Sequence, residues 1–255
     1  MRDVAIDRTA SEGFAAGAAS YERARPAYPA AAVDWLLRDL PSGARLLDLG
    51  AGTGKLTGSL VATGADVVAI EPVAGMRDRL AAAFPSVRLA AGTAEAIPIA
   101  DGSVDAVLVA QAFHWFDGPR ALAEIHRILR PEGRLGLLWN ARDRSTPWVA
   151  EMSKIVDSYG DAILRHESGQ WRDGFASPNG FTPLEEAEFP NVQEVTVEDV
   201  LERVASTSFV ATLPDPERSA VMERVRTVLE AYPETRGRER FDFPHRTRAY
   251  FCRRS

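Results

Sequence analysis

Three glycines alternate with small residues in the segment LLDLGAGTGK, which spans residues 46–55. Alternate glycines let a backbone turn tightly and admit a ligand against the main chain, where a side chain would block it. Asp48 lies two residues before the first of these glycines, Gly50. Its carboxylate would repel a pyrophosphate but could receive an ammonium group, directly or through water. The segment therefore predicts a site for an amino-acid-like ligand with an adenosine attached.

The spacing of the glycines separates this loop from two common nucleotide-binding loops. A dinucleotide loop has the pattern G-x-G-x-x-G, and a phosphate loop has the pattern G-x-x-x-x-G-K-[ST]. Here the run is G-x-G-x-G, and Lys55 is followed by Leu56. A dinucleotide-dependent oxidoreductase is therefore the weakest of the functions that we consider.

Glu71 supports the same ligand. It follows the apolar segment ADVVAI and lies 21 residues after Gly50. At about this offset an acidic residue accepts hydrogen bonds from the hydroxyl groups of a ribose. A glutamate at a strand end is, taken alone, just as often a solvated surface residue. In combination with the glycine loop, Glu71 favours a ribose at this position.

The elements that must position these residues alternate between apolar strands and helices from residue 44 onward. Such alternation predicts right-handed crossovers and a parallel sheet, and continuous apolar strands fit burial on both faces. Ligands bind such sheets at the carboxyl ends of the strands, beside the point where the strand order reverses. Strands are predicted at ARLLDL, ADVVAIE, SVRLAA, VDAVLVA and GRLGLLWN, and helices at about 54–63, 72–84 and 117–129.

The flanking segments carry weaker patterns. A helix in AAAVDWLLRDL follows Pro29, which suits a first helical turn. LEEAEF and QEVTV indicate one or two strands, and RFDFPHRTRAYFCRR indicates a last strand with Pro244 near its start or at a bulge. Further helices are predicted at about 12–20, 146–160, 198–207 and 215–231.

Composition and charge narrow the class of protein. The 255 residues are 45% hydrophobic and 26% charged, which fits a globular chain that is long enough to bury its own core. Cys252 is the only cysteine, which excludes an intramolecular disulfide framework, and the four histidines are too scattered to indicate a metal site. We therefore expect no metal.

The net charge of −6 opposes the electrostatic footprint of a nucleic-acid-binding protein. No segment approaches the ~18 apolar residues of a membrane helix. Asp3, Asp7 and Glu12 interrupt any N-terminal signal sequence. We expect a cytoplasmic protein that binds neither nucleic acid nor membrane, and the sequence leaves its oligomeric state open.

Over about residues 14–140 the chain resembles class I S-adenosylmethionine-dependent methyltransferases. LLDLGAGTGK is similar to the first motif of that family and AIEPVAGM to its ribose-binding second motif. AAGTAEAIPIADGSVDAVLVAQAFHWF is similar to the third and fourth motifs, and LRPEGRLGLLWN to the fifth strand and its approach. FAAGAASYERARPAYP resembles a segment that precedes the fold in a small-molecule-modifying branch, which includes trans-aconitate methyltransferase-like proteins.

The resemblance implies a Rossmann-like, doubly wound α/β fold. Its mostly parallel seven-stranded sheet would carry an antiparallel C-terminal strand and a helical cover. We predict a single methyltransferase domain over residues 1–255 with S-adenosylmethionine as cofactor. Its predicted parts are an N-terminal helical segment at 1–43, a cofactor-binding core at 44–140, a helical cover with edge strands at 141–240 and the last strand at 241–255.

The resemblance also implies which residues hold the cofactor. Asp48 would face its methionine part together with the backbone of the glycine loop, and Glu71 would hold the ribose. Met76 would pack near the adenine, which Glu95 would reach with its neighbours. Arg25 is a candidate partner for the cofactor carboxylate. The full set is Tyr21, Arg25, Asp48, Gly50, Ala51, Gly52, Glu71, Pro72, Met76, Thr93, Ala94, Glu95, Gln111 and Ala112.

His114 is the histidine placed where chemistry could occur, just past the fourth strand. It could act as a general base for a hydroxyl or amine acceptor, or it could only line the pocket. Phe113, Trp115 and Trp139 are predicted to supply apolar walls for the substrate. Arginines that follow the fifth strand could bind an acidic substrate, although a solvated surface is the better interpretation of Arg142, Arg144 and Arg172.

We expect a methyltransferase that acts on a small molecule, with oxygen as the favoured acceptor atom and carbon or nitrogen still open. A regulatory module that binds the cofactor or its demethylated product without catalysis is the second hypothesis. RNA methylation is a third, which the acidic net charge disfavours. The fourth strand also lacks the Asn/Asp-Pro-Pro-aromatic motif of enzymes that methylate exocyclic amines of nucleic-acid bases.

Overall fold

Seven strands form one sheet in a computed structural model that describes residues 25–159, 169–176 and 180–255. The strand order is β3-β2-β1-β4-β5-β7-β6, and β7 alone runs antiparallel to its neighbours. The fold is therefore the Rossmann-like sheet that the sequence predicts. The strands are β1 (Arg45–Leu49), β2 (Asp66–Ile70), β3 (Arg88–Ala90), β4 (Val104–Ala110), β5 (Leu129–Arg142), β6 (Glu185–Val195) and β7 (Phe241–Arg253).

The strand order reverses between β1 and β4. The chain leaves β1 toward β2 and β3 on one side, then returns to place β4 on the other side of β1. β1 and β4 are buried along nearly their whole length, as their continuous apolar sequences predict. The glycine loop directly follows β1 and therefore lies at the crevice where open α/β sheets bind ligands.

β7 closes the C-terminal side of the sheet between β5 and β6. It pairs with β5 from Arg134↔Arg253 to Arg142↔His245 and with β6 along the whole length of β6. The one or two strands predicted around residues 184–197 are the single strand β6. Pro190 lies within β6, which is the edge strand of the sheet, where a missing amide donor is tolerated.

Helices cover both faces of the sheet. Asp117 caps the helix Gly118–Ile128 and is followed by Pro119 in its first turn, and Thr196 with Asp199 forms a capping box at the start of the helix Val197–Ala205. The helix predicted at 12–20 lies outside the described residues. The helices are α1 (Ala30–Leu37), α2 (Lys55–Val61), α3 (Ala74–Ala83), α4 (Gly118–Ile128), α5 (Pro147–Asp157), α6 (Val197–Ala205), α7 (Ser208–Ala211) and α8 (Asp215–Ala231).

The apolar side chains pack on both faces of the sheet and in a separate cluster under the C-terminal helices. One face buries residues of α4 against β4 and β5, and the other buries α1 against β1 and β7. The separate cluster joins α5, α6 and α8 to the start of β7, where Trp148 contacts Phe241 and Phe243. Among the described helices, none is both long and apolar enough to cross a membrane.

Gly136 lies at the centre of β5 because the face of α1 packs directly on it. A Cβ atom there would lie 2.6 Å from Leu108 Cδ1 and 3.2 Å from Leu36 Cδ2, and both leucines are buried. We expect Gly136→Ala to lower the free energy of unfolding by about 1–3 kcal/mol through overpacking. Gly75→Ala is the matched control, because a Cβ at this exposed helical position meets nothing within 4 Å and raises stability by up to about 1 kcal/mol. Urea unfolding measures both, and equal effects of the two substitutions would contradict the packing argument.

Candidate functional site

The glycine loop is held against the end of β2. The amides of Gly50 and Ala51 donate to the Ile70 carbonyl oxygen, at 2.8 and 3.0 Å. Gly50 has a φ of +72°, and a Cβ there would lie 3.0 Å from the Cβ of Ala112, which follows β4. Gly52 has a φ of +59°, but its nearest neighbour would be Met76 Sδ at 4.0 Å. The loop is thus closed at Gly50 and open at Gly52, where a ligand can approach the main chain.

Asp48 places a buried carboxyl group under this loop. Its Oδ2 accepts a hydrogen bond from Thr57 Oγ1 at 2.6 Å. Its Oδ1 is buried and has no hydrogen-bond partner among the residues that the structure describes. Burial raises the pKa of Asp48 to about 7, and the nearby Glu71 carboxylate adds to the shift. A cation beside Asp48 would compensate this burial, so the site fits a ligand that carries an ammonium group.

Glu71 connects the glycine loop to the turn after β2. Its Oε2 accepts from the Gly52 amide and its Oε1 from the Val73 amide, both at 2.9 Å. Arg77 Nη1 donates to the carbonyl oxygens of Glu71 and Pro72 and so holds the turn. Burial raises the pKa of the Glu71 carboxyl group. Each carboxylate oxygen can accept a second hydrogen bond, so the capacity to bind a ribose remains.

The residues predicted to surround the adenine come from α3 and from the turn that follows β3. Met76 is buried beside Gly52. Ala94 is also buried, and the Thr93 carbonyl accepts from the Ala96 amide at 3.3 Å in a tight turn. Glu95 Oε1 accepts from the amide of Asp117 at 2.9 Å, so this carboxylate also orients the start of α4.

Gln111 directly follows β4 and has an unusual backbone conformation. Its φ is +56°, which is uncommon for a residue other than glycine and costs free energy. The Gln111 amide donates to the Leu138 carbonyl at 2.8 Å, and its Nε2 donates to the Asn140 carbonyl at 3.2 Å. These bonds tie the end of β4 to the end of β5 and hold Ala112 against Gly50.

His114 lies in a short 3-10 helix, Phe113–Trp115, directly after β4. Its Nδ1 accepts a hydrogen bond from Trp139 Nε1 at 3.2 Å, and its ring lies 4.9 Å from that of Trp115. Phe113 and Trp139 are only 1% exposed and belong to the apolar core. Of the residues predicted to line the substrate pocket, Phe113 and Trp139 are therefore buried, whereas His114 and Trp115 are partly exposed.

The N-terminal segment crosses the end of β5. Asn140 Nδ2 donates to the carbonyl oxygens of Pro26 and Ala27, both at 3.2 Å, which brings Arg25 to this side of the sheet. Asn140 Oδ1 accepts from Thr247 Oγ1 at 2.5 Å. Sequence reasoning missed Asn140, although its position at the end of a predicted strand was a usable signal. Tyr21, the other residue predicted to close the cofactor, lies outside the described residues.

Residues 25–159, 169–176 and 180–255 contain no group of three histidine, cysteine, aspartate or glutamate residues that could hold a metal ion. The groups that meet at the carboxyl ends of β1, β2, β4 and β5 are a buried carboxyl group, a stretch of main chain that a ligand can approach, and aromatic side chains. This donor set matches an adenosine-linked amino acid.

Comparison with known proteins agrees with this geometry. A family model described as a methyltransferase domain matches residues 47–137. An uncharacterized methyltransferase of Mycobacterium tuberculosis is 46% identical over 228 residues, which cover 89% of this chain and 88% of that protein. The chain belongs to the class I S-adenosylmethionine-dependent methyltransferases. Its cofactor is therefore S-adenosylmethionine, as the sequence predicts.

Two further proteins are similar to this methyltransferase, one in sequence and one in fold. A malonyl-[acyl-carrier protein] O-methyltransferase of Methylococcus capsulatus is 36% identical over 149 residues, which cover 55% of this chain and 47% of that protein. The fold matches the crystal structure of a methyltransferase from an antibiotic biosynthesis pathway of Anabaena variabilis, with a TM-score of 0.63. That similarity covers 86% of this chain and 95% of the other at 24% identity, and it supports the fold alone.

The opening at Gly52 makes a test of the cofactor site possible. We expect Gly52→Val to weaken binding of S-adenosylhomocysteine at least ~100-fold, because the new side chain fills the approach to the main chain. Gly43→Val is the matched control, since Gly43 also has a positive φ and open surroundings but lies before β1. Titration calorimetry on both folded variants gives the affinities. Near-normal affinity in folded Gly52→Val would exclude this loop as the binding site.

Proposed function

We propose that this methyltransferase transfers the methyl group to an oxygen atom of a small-molecule acceptor. The hydrogen bond between Trp139 and His114 carries the proposal. An indole N–H can only donate, and a neutral imidazole has one donor nitrogen and one acceptor nitrogen. Because His114 Nδ1 accepts from Trp139 Nε1, the imidazole proton lies on Nε2.

This tautomer changes the role that we assign to His114. A general base needs a free lone pair on the nitrogen that faces the acceptor, whereas here Nε2 carries a proton. If Nδ1 of His114 carried the proton instead, its N–H would face the N–H of Trp139, and no acceptor would lie between the two donors. We therefore assign His114 as a hydrogen-bond donor to the acceptor or the cofactor, and we no longer favour it as a general base.

An acceptor that is already an oxyanion suits a donor better than it suits a base. A carboxylate oxygen needs no proton removed before it attacks, so orientation accounts for most of the catalysis. The name of the malonyl-[acyl-carrier protein] relative also describes methyl transfer to oxygen. Together these observations favour oxygen over the carbon and nitrogen acceptors.

The remaining roles follow from the contacts around the loop. Asp48 would face the ammonium group of the cofactor, Glu71 its ribose, and the end of β4 at Gln111 its methionine part. When bound, the cofactor supplies a methyl group on a sulfonium, and the new C–O bond forms as the S–C bond breaks with its electron pair left on sulfur. The strained Gln111 and the donor His114 fix the position of the acceptor beside that methyl group.

We also propose that residues 1–255 act as one methyltransferase domain located in the cytoplasm. β6 and β7 complete the same sheet that carries the candidate site, which supports one domain. The net charge of −6 supports a small-molecule acceptor over a nucleic acid.

A screen of soluble metabolites with an isotope-labelled methyl donor tests the proposed function directly. We expect a methyl ester or ether as product and stoichiometric release of S-adenosylhomocysteine. Tight cofactor binding without turnover over a broad panel would favour the regulatory module instead. A C-methylated or N-methylated product would overturn the assignment of oxygen.

The raised pKa of Asp48 predicts that cofactor binding releases protons near neutral pH. A bound ammonium favours the carboxylate and lowers its pKa from about 7, so binding at pH 6.5 expels a proton. Calorimetry in buffers of different ionisation enthalpy measures this release. We expect Asp48→Asn to abolish it, and the exposed control Asp242→Asn to leave it unchanged.

The same group makes the stability of the ligand-free protein depend on pH. The folded-state pKa of Asp48 lies above its unfolded value, so its contribution is present at low pH and is lost as the pH rises through about 7. Thermal unfolding between pH 5 and pH 8 should therefore show a smaller decline for Asp48→Asn than for the wild type. An equal decline would contradict the buried carboxyl group.

The donor role of His114 has its own test. We expect His114→Ala to leave S-adenosylhomocysteine affinity within about twofold and to lower kcat by roughly 10-fold to 100-fold, the loss of one hydrogen bond to a charged group. His114→Gln keeps an N–H donor and should retain more activity. A general base would instead give the wild type a kcat that falls at acidic pH, with that fall absent in His114→Ala.

A further inference from the structure

One side of α4 holds the loop that joins β3 to β4, residues 91–103, here called the β3–β4 loop. The guanidinium group of Arg127 donates to the carbonyl oxygens of Ile97 and Ile99, at 2.9 and 2.8 Å. It also donates to the Asp101 carboxylate at 2.6 Å. A guanidinium group carries five N–H donors in one rigid plane, so Arg127 binds three positions of the loop in a fixed geometry. None of the roles assigned above uses this residue.

Glu124 lies about one turn earlier on α4 and binds both the arginine and the loop. Its two carboxylate oxygens accept from Arg127, each at 2.8 Å, and Oε2 also accepts from the Ile97 amide at 2.9 Å. The hydrogen bond from Arg127 lowers the pKa of Glu124 to about 2, with a smaller contribution from the Ile97 amide and against the effect of burial. Glu124 is therefore a carboxylate at neutral pH. We call Glu124 and Arg127 together the loop clamp.

The start of α4 holds the same loop at a second point. The amide of Asp117, the N-cap residue, donates to Glu95 Oε1 at 2.9 Å. Asp117 precedes Glu124 by seven residues, which is about two helical turns, so both contacts come from the loop-facing side of the helix. The loop is thus bound to the helix at both Glu95 and Ile97, which opposes any shift of this segment along α4.

The clamped part of the loop is the part predicted to meet the adenine. Thr93, Ala94 and Glu95 belong to the predicted cofactor-binding residues, whereas the loop clamp does not. The loop begins next to the proposed ribose residue, because the Glu71 amide donates to the Ala90 carbonyl at 3.3 Å. A shift of the loop would therefore move polar groups along the base while the ribose contact stayed in place. Recognition of a base by hydrogen bonds needs positions that are accurate to about 0.5 Å.

We propose that Glu124 and Arg127 position the β3–β4 loop so that its polar groups distinguish adenine from other purines. The inference rests on the cofactor site of the proposed function and adds two positioning residues that act through the loop. Adenine offers an amino donor at C6 and an acceptor at N1, whereas hypoxanthine offers an acceptor at C6 and a donor at N1. A loop that pairs with adenine would face hypoxanthine with unmatched groups, which lowers the affinity.

The test compares S-adenosylhomocysteine with S-inosylhomocysteine, which carries hypoxanthine in place of adenine. Titration calorimetry on the full chain measures both affinities. The variants are Arg127→Met, which removes the donors and keeps an apolar stem, Arg127→Lys, which keeps the charge without the planar group, and Glu124→Gln. Arg130→Met is the matched control, because the ion pair of Arg130 with Asp105 of β4 has the same 2.6 Å distance as that of Arg127 with Asp101 but lies outside the loop.

We expect the wild type to bind S-adenosylhomocysteine at least ~10-fold more tightly than S-inosylhomocysteine. In Arg127→Met the affinity for S-adenosylhomocysteine should fall about 10-fold, with the affinity for S-inosylhomocysteine changed less than about threefold, so that the preference is lost. Glu124→Gln should act in the same direction, and Arg127→Lys should lie between Arg127→Met and the wild type. Arg130→Met should keep the wild-type preference.

Thermal unfolding of each variant shows whether it is folded at the temperature of the titration. A role in stability alone would lower the melting temperature and leave the ratio of the two affinities unchanged. That result, or a wild type without preference, would overturn the loop clamp. If Arg127→Met does not fold, Glu124→Gln provides the same comparison, because its amide oxygen can still accept from the Ile97 amide.

The affinity of the wild type for S-adenosylhomocysteine separates this inference from the proposed function. Absence of that binding would defeat the proposed function itself. Normal binding of S-adenosylhomocysteine with an unchanged preference in folded Arg127→Met would defeat only the loop clamp.

Discussion

A buried carboxylate at the end of β1 is the constraint on which the rest of the structure depends. Burying a charge without a partner is costly, and Oδ1 of Asp48 has no hydrogen-bond partner among the described residues. A cationic group of the bound ligand would offset the free-energy cost of burying this carboxylate. The glycine loop then has to remain open above the carboxylate, and Glu71 keeps it open because its carboxylate fixes the Gly52 amide from the other side.

The parallel sheet brings the second half of the chemistry to the same edge. β4 lies directly beside β1, so the residues that follow β4 meet the glycine loop at Ala112 and Gly50. One strand further, Trp139 of β5 holds His114 in a single tautomer. An enzyme of this kind needs orientation more than proton transfer, because its methyl donor is already reactive. In the proposed function, the His114 donor after β4 supplies that orientation.

The C-terminal third of the chain adds residues beside the candidate site that come from β7 and α6. β7 inserts between β5 and β6 and brings His245 beside Arg142, while α6 brings Arg203 over the same face. The cofactor loop depends on residues close together in the sequence, whereas β7 brings residues from the far end of the chain beside β5.

The parallel core, the glycine loop and the positions of Asp48 and Glu71 could be predicted from local signals in the sequence. These signals are apolar strands, glycine spacing, and an acid at a fixed offset. The burial of Phe113 and Trp139, the bonds from Asn140 to the N-terminal segment and the single strand β6 could be seen only in the folded chain. A strand that is buried on both faces shows no alternation of apolar and polar residues. Its sequence therefore cannot distinguish residues that line a ligand site from residues of the core. Partners such as Trp139 and His114 meet only when strand order and register are set.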